Sequence, residues 1–194
     1  MCPISLYDPD ALKSSVRPDV VTGGNFAQLL STSGSKKVDN LDAVIAQLEA
    51  TRKENNKCVT HVHLVGHGTY PGFRIGQDYV TTAAQATALG QRMAGSLCRP
   101  CTVTLWNCAL GADATGRGIA KALAAATGCA VAAAKCDIET EGNGSGWHWK
   151  KNDPLYDPTY GKMGGNGWYV VDATGAELPS GPSGASGPLD PNAR

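Results

Sequence analysis

Two β-branched, largely apolar runs, residues 58–65 (CVTHVHLV) and 101–106 (CTVTLW), constrain this chain more than any other feature. Each has the length and composition of a buried strand, and each stops at a tight turn. The first ends in Gly66-His67-Gly68, the second in Asn107-Cys108-Ala109-Leu110-Gly111. Helical patterns alternate with them. Leu41, Val44, Ile45 and Leu48 recur at helical spacing and predict a surface helix from Asp39 or Asp42 into the polar run 52–57. The alanine-rich segment 82–97 predicts a second helix despite Gly90 and Gly95, ended by Arg99-Pro100. A third starts at Asp113 or Thr115 as N-cap, runs through Ile119 and Leu123, stops at Gly128 and leads into a strand over 129–134. Strands alternating with helices at this spacing imply an α/β fold, a three-layer sandwich in which a mostly parallel sheet carries helices on both faces.

The flanks read differently. Pro3, Pro9 and Pro18 predict a loosely structured arm over residues 1–19, with Asp19-Val20-Val21-Thr22 a short first strand where the body, residues 20–177, begins. Residues 69–78 read as a glycine-interrupted loop, and 139–167, rich in Gly, Asn, Pro and aromatics, as a long functional loop. Trp168-Tyr169-Val170-Val171 supplies a last strand, and the Pro/Gly/Ser-rich residues 178–194 predict a flexible tail.

The 17 basic residues balance the 17 acidic ones, so bulk attraction to nucleic acid or anionic lipid is not expected and partner choice must come from a site. No run approaches the ~18 apolar residues of a membrane span, and the first residues lack the charged-then-apolar pattern of a secretory signal. Seven scattered cysteines, an odd set in apolar segments, read as thiols in a reducing compartment, which makes the cytoplasm the expected location. Cys98-Arg99-Pro100-Cys101 has the spacing of a redox or zinc pair, but it stands alone and precedes a strand, so neither role is assigned. Cys129 and Cys136 bracket a strand and read as packing residues.

Loops at the carboxyl ends of parallel strands converge, and ligands gather there. His67 leaves one strand at that end and Cys108 leaves the next, so the fold brings an imidazole and a thiol side by side. A thiol is a good nucleophile as thiolate, and an adjacent imidazole holds it in that form or protonates a departing amine. Gly68 and Gly111 allow close backbone approach to a carbonyl, with N–H groups as oxyanion donors. His63 is a candidate buttress for His67.

A hydrophobic strand ending in His67-Gly68, paired with a later one ending in Asn107-Cys108, resembles the caspase-like cysteine peptidase superfamily, and is closest to its bacterial domains with Gly-His-Gly and Asn-Cys turns. The resemblance covers residues 59–138. It implies a caspase-like α/β domain, His67 as general acid/base, Cys108 as nucleophile, and the backbone N–H groups of Gly68 and Cys108 as oxyanion donors. It implies a protein or peptide substrate, with no cofactor and no metal. Asp137, Glu139 and Glu141 fall where the superfamily contributes to the pocket before the cleaved bond, and an acidic pocket there favours a basic substrate residue. Trp147 and Trp149 are candidate walls of the substrate groove. The Gln-Ala-Cys-x-Gly signature of true caspases is absent, so aspartate specificity is not implied. Two other readings stand beside this one: an inactive interaction module binding through residues 147–168, and a zinc hydrolase using His61, His63 and His67.

Overall fold

The structure, a computed structural model, describes residues 3–7, 36–55, 58–135, 138–140, 147–149 and 167–178. A mixed seven-stranded sheet organises them. Its strands are β1 (Pro3–Tyr7), β2 (Lys36–Lys37), β3 (Val59–Val65), β7 (Leu97–Trp106), β8 (Ala130–Ala134), β11 (Trp168–Val171) and β12 (Glu177–Leu178), in the order β12-β11-β8-β7-β3-β1-β2. The five strands from β8 to β2 run parallel, and β11 and β12 close the other edge antiparallel. The segment read as an N-terminal arm therefore contains a sheet strand: Pro3–Tyr7 pairs with β3 from Pro3↔His61 to Tyr7↔Val65. Prolines argue against a central strand, but Pro3 is the first residue of this one, where the missing N–H is tolerated. The strand expected over 19–22 lies outside the described residues, as does the tail beyond Leu178.

Among the described residues three helices connect these strands: α1 (Leu41–Asn55), α2 (Ala83–Ala94) and α3 (Ala114–Thr127). Each start is capped. Asn40 accepts from Ala43 N–H at 2.8 Å at the head of α1. Thr82 and Gln85 form a reciprocal capping box on α2, and Asp113 accepts from Gly116 N–H at 2.8 Å on α3. Gly128, at φ 72°, ends α3 in the left-handed conformation that suits glycine. Gly90, mid-helix in α2, lies against α3, where an added Cβ would meet that of Ala126 at 2.6 Å. The small residue sets how closely the two helices approach.

Alternation along the strands divides the sheet into two faces. Val62, Leu64, Val103, Leu105, Val131, Ala133 and Val171 join Val44, Leu48, Leu89, Met93, Ile119 and Leu123 of the helices in one buried cluster. The opposite face carries Thr104, Trp106, Ala132, Ala134 and Trp168, also buried and outside that cluster.

Two segments read as loops contain strands. Residues 69–78 belong to a separate three-stranded antiparallel sheet of β4 (His67–Thr69), β5 (Gly72–Ile75) and β6 (Asp78–Val80). Phe73, Ile75 and Val80 anchor it in the core, an alternation too short to stand out among the glycines. The Asp78 carboxylate accepts from Leu41 N–H at 2.8 Å, which ties this small sheet to the head of α1. Further on, β9 (Ile138–Thr140) and β10 (Trp147–Trp149) pair antiparallel inside the region expected to be one long loop.

The cysteine reading is overturned. Cys58 is bonded to Cys98 and Cys101 to Cys129, with Cα–Cα separations of 5.3 and 4.7 Å. Sequence spacing hid this, because the partners are 40 and 28 positions apart and meet through strand pairing. Cys98 and Cys101 take different partners, so they form neither a redox pair nor half a zinc site, and Cys129 is a bridge residue. Among the described cysteines, Cys108 is the one outside the bridges. No described helix is long and apolar enough to cross a membrane.

Candidate active site

Strands β3 and β7 are parallel neighbours whose last aligned pair is Val65↔Trp106. His67 and Cys108 each lie two residues beyond that pair, so the equal offset carries both to the same rim of the sheet. Neighbouring strands β1 and β3 continue in opposite directions across the sheet, to β2 on one side and β7 on the other. This is a switch point of the kind beside which α/β folds bind ligands.

Backbone contacts close the gap between the two turns. Gly66 N–H reaches Trp106 C=O at 3.4 Å, and the Asn107 side-chain amide donates to His67 C=O at 3.2 Å. Gly68 lies directly on Cys108: a Cβ at Gly68 would run into the Cys108 carbonyl oxygen and stand 2.8 Å from its nitrogen. Only a glycine lets the two chains come so near. His67 and Cys108 are both partly exposed, while Asn107 is fully buried. Asn107 is a functional candidate that the sequence reading passed over as part of the turn.

The Cys108 turn is sharp and held from several sides. Ala109 adopts φ 53°, a left-handed conformation that costs a residue with a Cβ on the order of 1 kcal/mol. Such strain persists where the surroundings over-determine it, and it collects at functional sites. Gly111 N–H donates to Ala134 C=O at 2.6 Å, and Arg117 donates to Gly111 C=O at 3.0 Å and Ala112 C=O at 3.3 Å. Gly116, in the first turn of α3, packs on the Leu110 carbonyl. Gly111 is thus not an oxyanion donor as expected. Its N–H is already engaged, and its missing side chain makes room for Tyr169 and the Ala133 carbonyl, 2.7 and 2.8 Å from a notional Cβ.

Beneath the rim, Trp106 Nε1–H donates to His63 Nδ1 at 3.1 Å, and Trp106 meets Trp168 edge-to-face at 5.3 Å. Accepting at Nδ1 requires that nitrogen to be unprotonated. Burial, helped by the nearby charge of His61, lowers the His63 pKa from 6.5 to about 4, so the ring is neutral near pH 7. His63 therefore braces the strand that carries Cys108, through Trp106, where the sequence reading had it bracing His67. Among the described residues no three His, Cys, Asp or Glu side chains gather as metal ligands, so His61, His63 and His67 do not form the triad that a zinc site needs.

Of the candidate substrate-binding residues, Glu139 lies in β9 opposite His148, and Trp147 and Trp149 lie in β10 opposite Thr140 and Ile138. Their side chains fall outside the described residues, and so do Asp137 and Glu141. The structure instead brings forward residues that sequence patterning left in a loop. In the small sheet His67 pairs with Arg74, and Arg74 with Tyr79. The core-facing Phe73, Ile75 and Val80 put the side chains of that row on the other face.

A family model matches residues 26–155, more than half of the chain, and its description is a domain of unknown function, DUF4347. The chain belongs to the DUF4347 family. The matched DUF4347 segment contains β3, the small sheet, β7 and the turn after it, and hence His67, Arg74, Asn107 and Cys108. No curated protein and no solved structure matches the chain. A cleft of about 960 Å³ also opens in this DUF4347 domain, lined by Arg52, Lys53, Arg92, Ser96 and the Cys58–Cys98 bridge. The cleft lies between the last turns of α1 and α2 and the starts of β3 and β7, the end of the sheet away from His67 and Cys108.

Proposed function

We propose that this chain is a cysteine endopeptidase with a caspase-like fold, in which His67 and Cys108 act together on a peptide bond of a protein or peptide substrate. The observation that carries the reading is the shared two-residue offset beyond Val65↔Trp106, with Gly68 in van der Waals contact with the Cys108 backbone. Two chain segments remote in sequence are held at one rim by features with no other evident purpose: a buried amide clamp, a glycine no side chain could replace, and a strained Ala109.

In this mechanism the Cys108 sulfur, as thiolate, attacks the peptide carbonyl and forms a C–S bond. The oxyanion is held by the backbone N–H groups of Gly68 and Cys108. As the intermediate collapses the C–N bond breaks, and His67 gives its proton to the leaving amine. Water, deprotonated by His67, then cleaves the thioester, releasing the acid and restoring the thiol. The chemistry needs no cofactor. The full architecture in this reading is the three-layer sandwich with helices on both faces, supported by the burial of Thr104, Ala132 and Ala134 opposite the described helices. The two disulfides favour an oxidising compartment over the cytoplasm expected from the sequence, since cytosolic thiols are kept reduced.

The test compares wild type, Cys108→Ala and His67→Ala on peptide libraries read by mass spectrometry. Cleavage by wild type that both variants lose is the expected result. Cleavage that survives Cys108→Ala overturns the proposal.

A further inference from the structure

The rim holds buried polar groups that the mechanism above does not use. Of the buried side-chain polar atoms without a hydrogen-bond partner among the described residues, one, the Tyr169 hydroxyl, is on β11, and the others are Thr69 Oγ1, Arg74 Nε and Asn107 Oδ1. These last three lie on β4, on β5 and in the turn after β7, around His67 and Cys108. Each such orphan in a folded protein costs about 1–3 kcal/mol and calls for a reason.

Arg74 is the most demanding of them. An arginine cannot relieve the burial of a polar N–H by shedding its proton, so the buried Nε–H of Arg74 calls for an acceptor. The side chain is partly buried, and no described residue forms an ion pair or hydrogen bond with it. The nearest acid of the small sheet, Asp78, pairs with Ile75 and has its carboxylate engaged with Leu41 N–H, on the core side. Register puts Arg74 directly across from His67, and side chains opposite one another on antiparallel strands share a face with Cβ atoms about 5 Å apart. A planar cation whose buried Nε–H has no acceptor among the described residues, one side chain away from the general acid/base, is half of a bidentate pair whose other half is a carboxylate.

We propose that Arg74, with the Thr69 hydroxyl beside it, is the specificity site of this rim and binds a carboxylate presented next to the bond that Cys108 attacks. The inference rests on the dyad reading for its place in catalysis, but the carboxylate site itself does not need turnover. It reverses the expected basic preference, which relied on Asp137, Glu139 and Glu141. A carboxylate has two sources in a peptide, an acidic side chain or the chain's own C-terminus.

The experiment immobilises the full chain as Cys108→Ala, so that nothing is cleaved, and measures retention of N-acetylated hexapeptide pools by mass spectrometry. One pool has Glu or Asp at a fixed position and an amidated end, a second has Gln or Asn there, and a third is the second with a free C-terminus. Retention of the first or third pool at least about tenfold over the second, falling to near parity when Arg74→Gln is added, is the expected result, the increment of one charge-assisted pair. Preference for the first pool assigns an acidic side chain and preference for the third a chain terminus. Equal retention of all three pools, no retention of any, or a preference untouched by Arg74→Gln overturns the inference. Arg74→Lys guards against a misfolded Gln variant: charge without the planar fork retains a reduced preference. Cleavage by the unmutated chain is scored separately. If no peptide is cut but the Arg74-dependent preference stands, the endopeptidase reading fails and the carboxylate site remains.

Discussion

Removing the Cys101–Cys129 bridge tests how far the sheet depends on covalent support. The bridge ties β7 to the start of β8 and closes a loop of 28 positions. Chain-entropy arithmetic for a loop of that length gives about 3.6 kcal/mol of stabilisation, acting by restricting the unfolded chain. For a chain of this size each kcal/mol moves the melting temperature by about 2–4 °C, so Cys101→Ala/Cys129→Ala should melt about 7–14 °C below wild type. Scanning calorimetry of the oxidised proteins measures this directly. The second bridge supplies an internal comparison: its loop of 40 positions predicts a similar effect, about 3.9 kcal/mol. The two differ in access. Cys101 and Cys129 are 7% and 1% exposed, whereas Cys58 and Cys98 are partly exposed and line an open cleft. A mild reductant should therefore open Cys58–Cys98 first, as followed by alkylation and peptide mapping, and leave the inner bridge intact until the chain unfolds. A double-alanine variant that melts within about 2 °C of wild type would refute the reasoning, because the lost loop constraint alone predicts more.

Two further outcomes follow from the site. His63 has a pKa of about 4 when folded and 6.5 when not, so below pH 6.5 the unfolded chain binds the extra proton. Stability should fall as pH drops from 6.5 to 4 and level off below, by at most about 3 kcal/mol because the ring keeps some exposure, and His63→Gln should flatten that slope in denaturant titrations at each pH. Gly68→Ala should cost about 1–3 kcal/mol by overpacking and lower kcat on any cleaved peptide by about 100-fold or more, since its Cβ displaces the Cys108 backbone. Gly118→Ala, with nothing within 4 Å, is the control and should be neutral or stabilising; equal behaviour of the two variants would remove Gly68 from the site.

The central strands and helices were legible because their signals are local. Val62 and Leu64 alternate on one strand, Ile119 and Leu123 share one helix face, and Gly128 stops α3 through its own backbone. The rim was legible through topology, since a turn after each of two neighbouring parallel strands must meet. What escaped was whatever depends on partners distant in sequence. The disulfides join positions that only strand register aligns. Gly111 looks like any substrate-approach glycine until Ala134 C=O is found on its N–H. Arg74 looks like a solvated loop charge until β5 forms and pairs it with His67. The β1 strand hid behind Pro3, because a proline at a strand's first residue is indistinguishable in sequence from one that forbids the strand.

The two ends of the sheet carry opposite kinds of energy. At the amino ends of β3, β7 and β8 two covalent bridges lock three adjacent strands together. At their carboxyl ends Ala109 sits in a strained conformation, and Thr69, Arg74 and Asn107 keep buried polar atoms unsatisfied. Such costs, about 1–3 kcal/mol each, are comparable with the margin of a typical domain, so a rim of this kind persists only on a scaffold that resists relaxing. The bridges lie beyond the reach of any group at the rim, and they constrain the very strands from which His67 and Cys108 emerge. Stability is concentrated where no chemistry is proposed, and strain where it is. Relieving that strain with Ala109→Gly would then be expected to stabilise the fold while loosening the turn that presents the thiol.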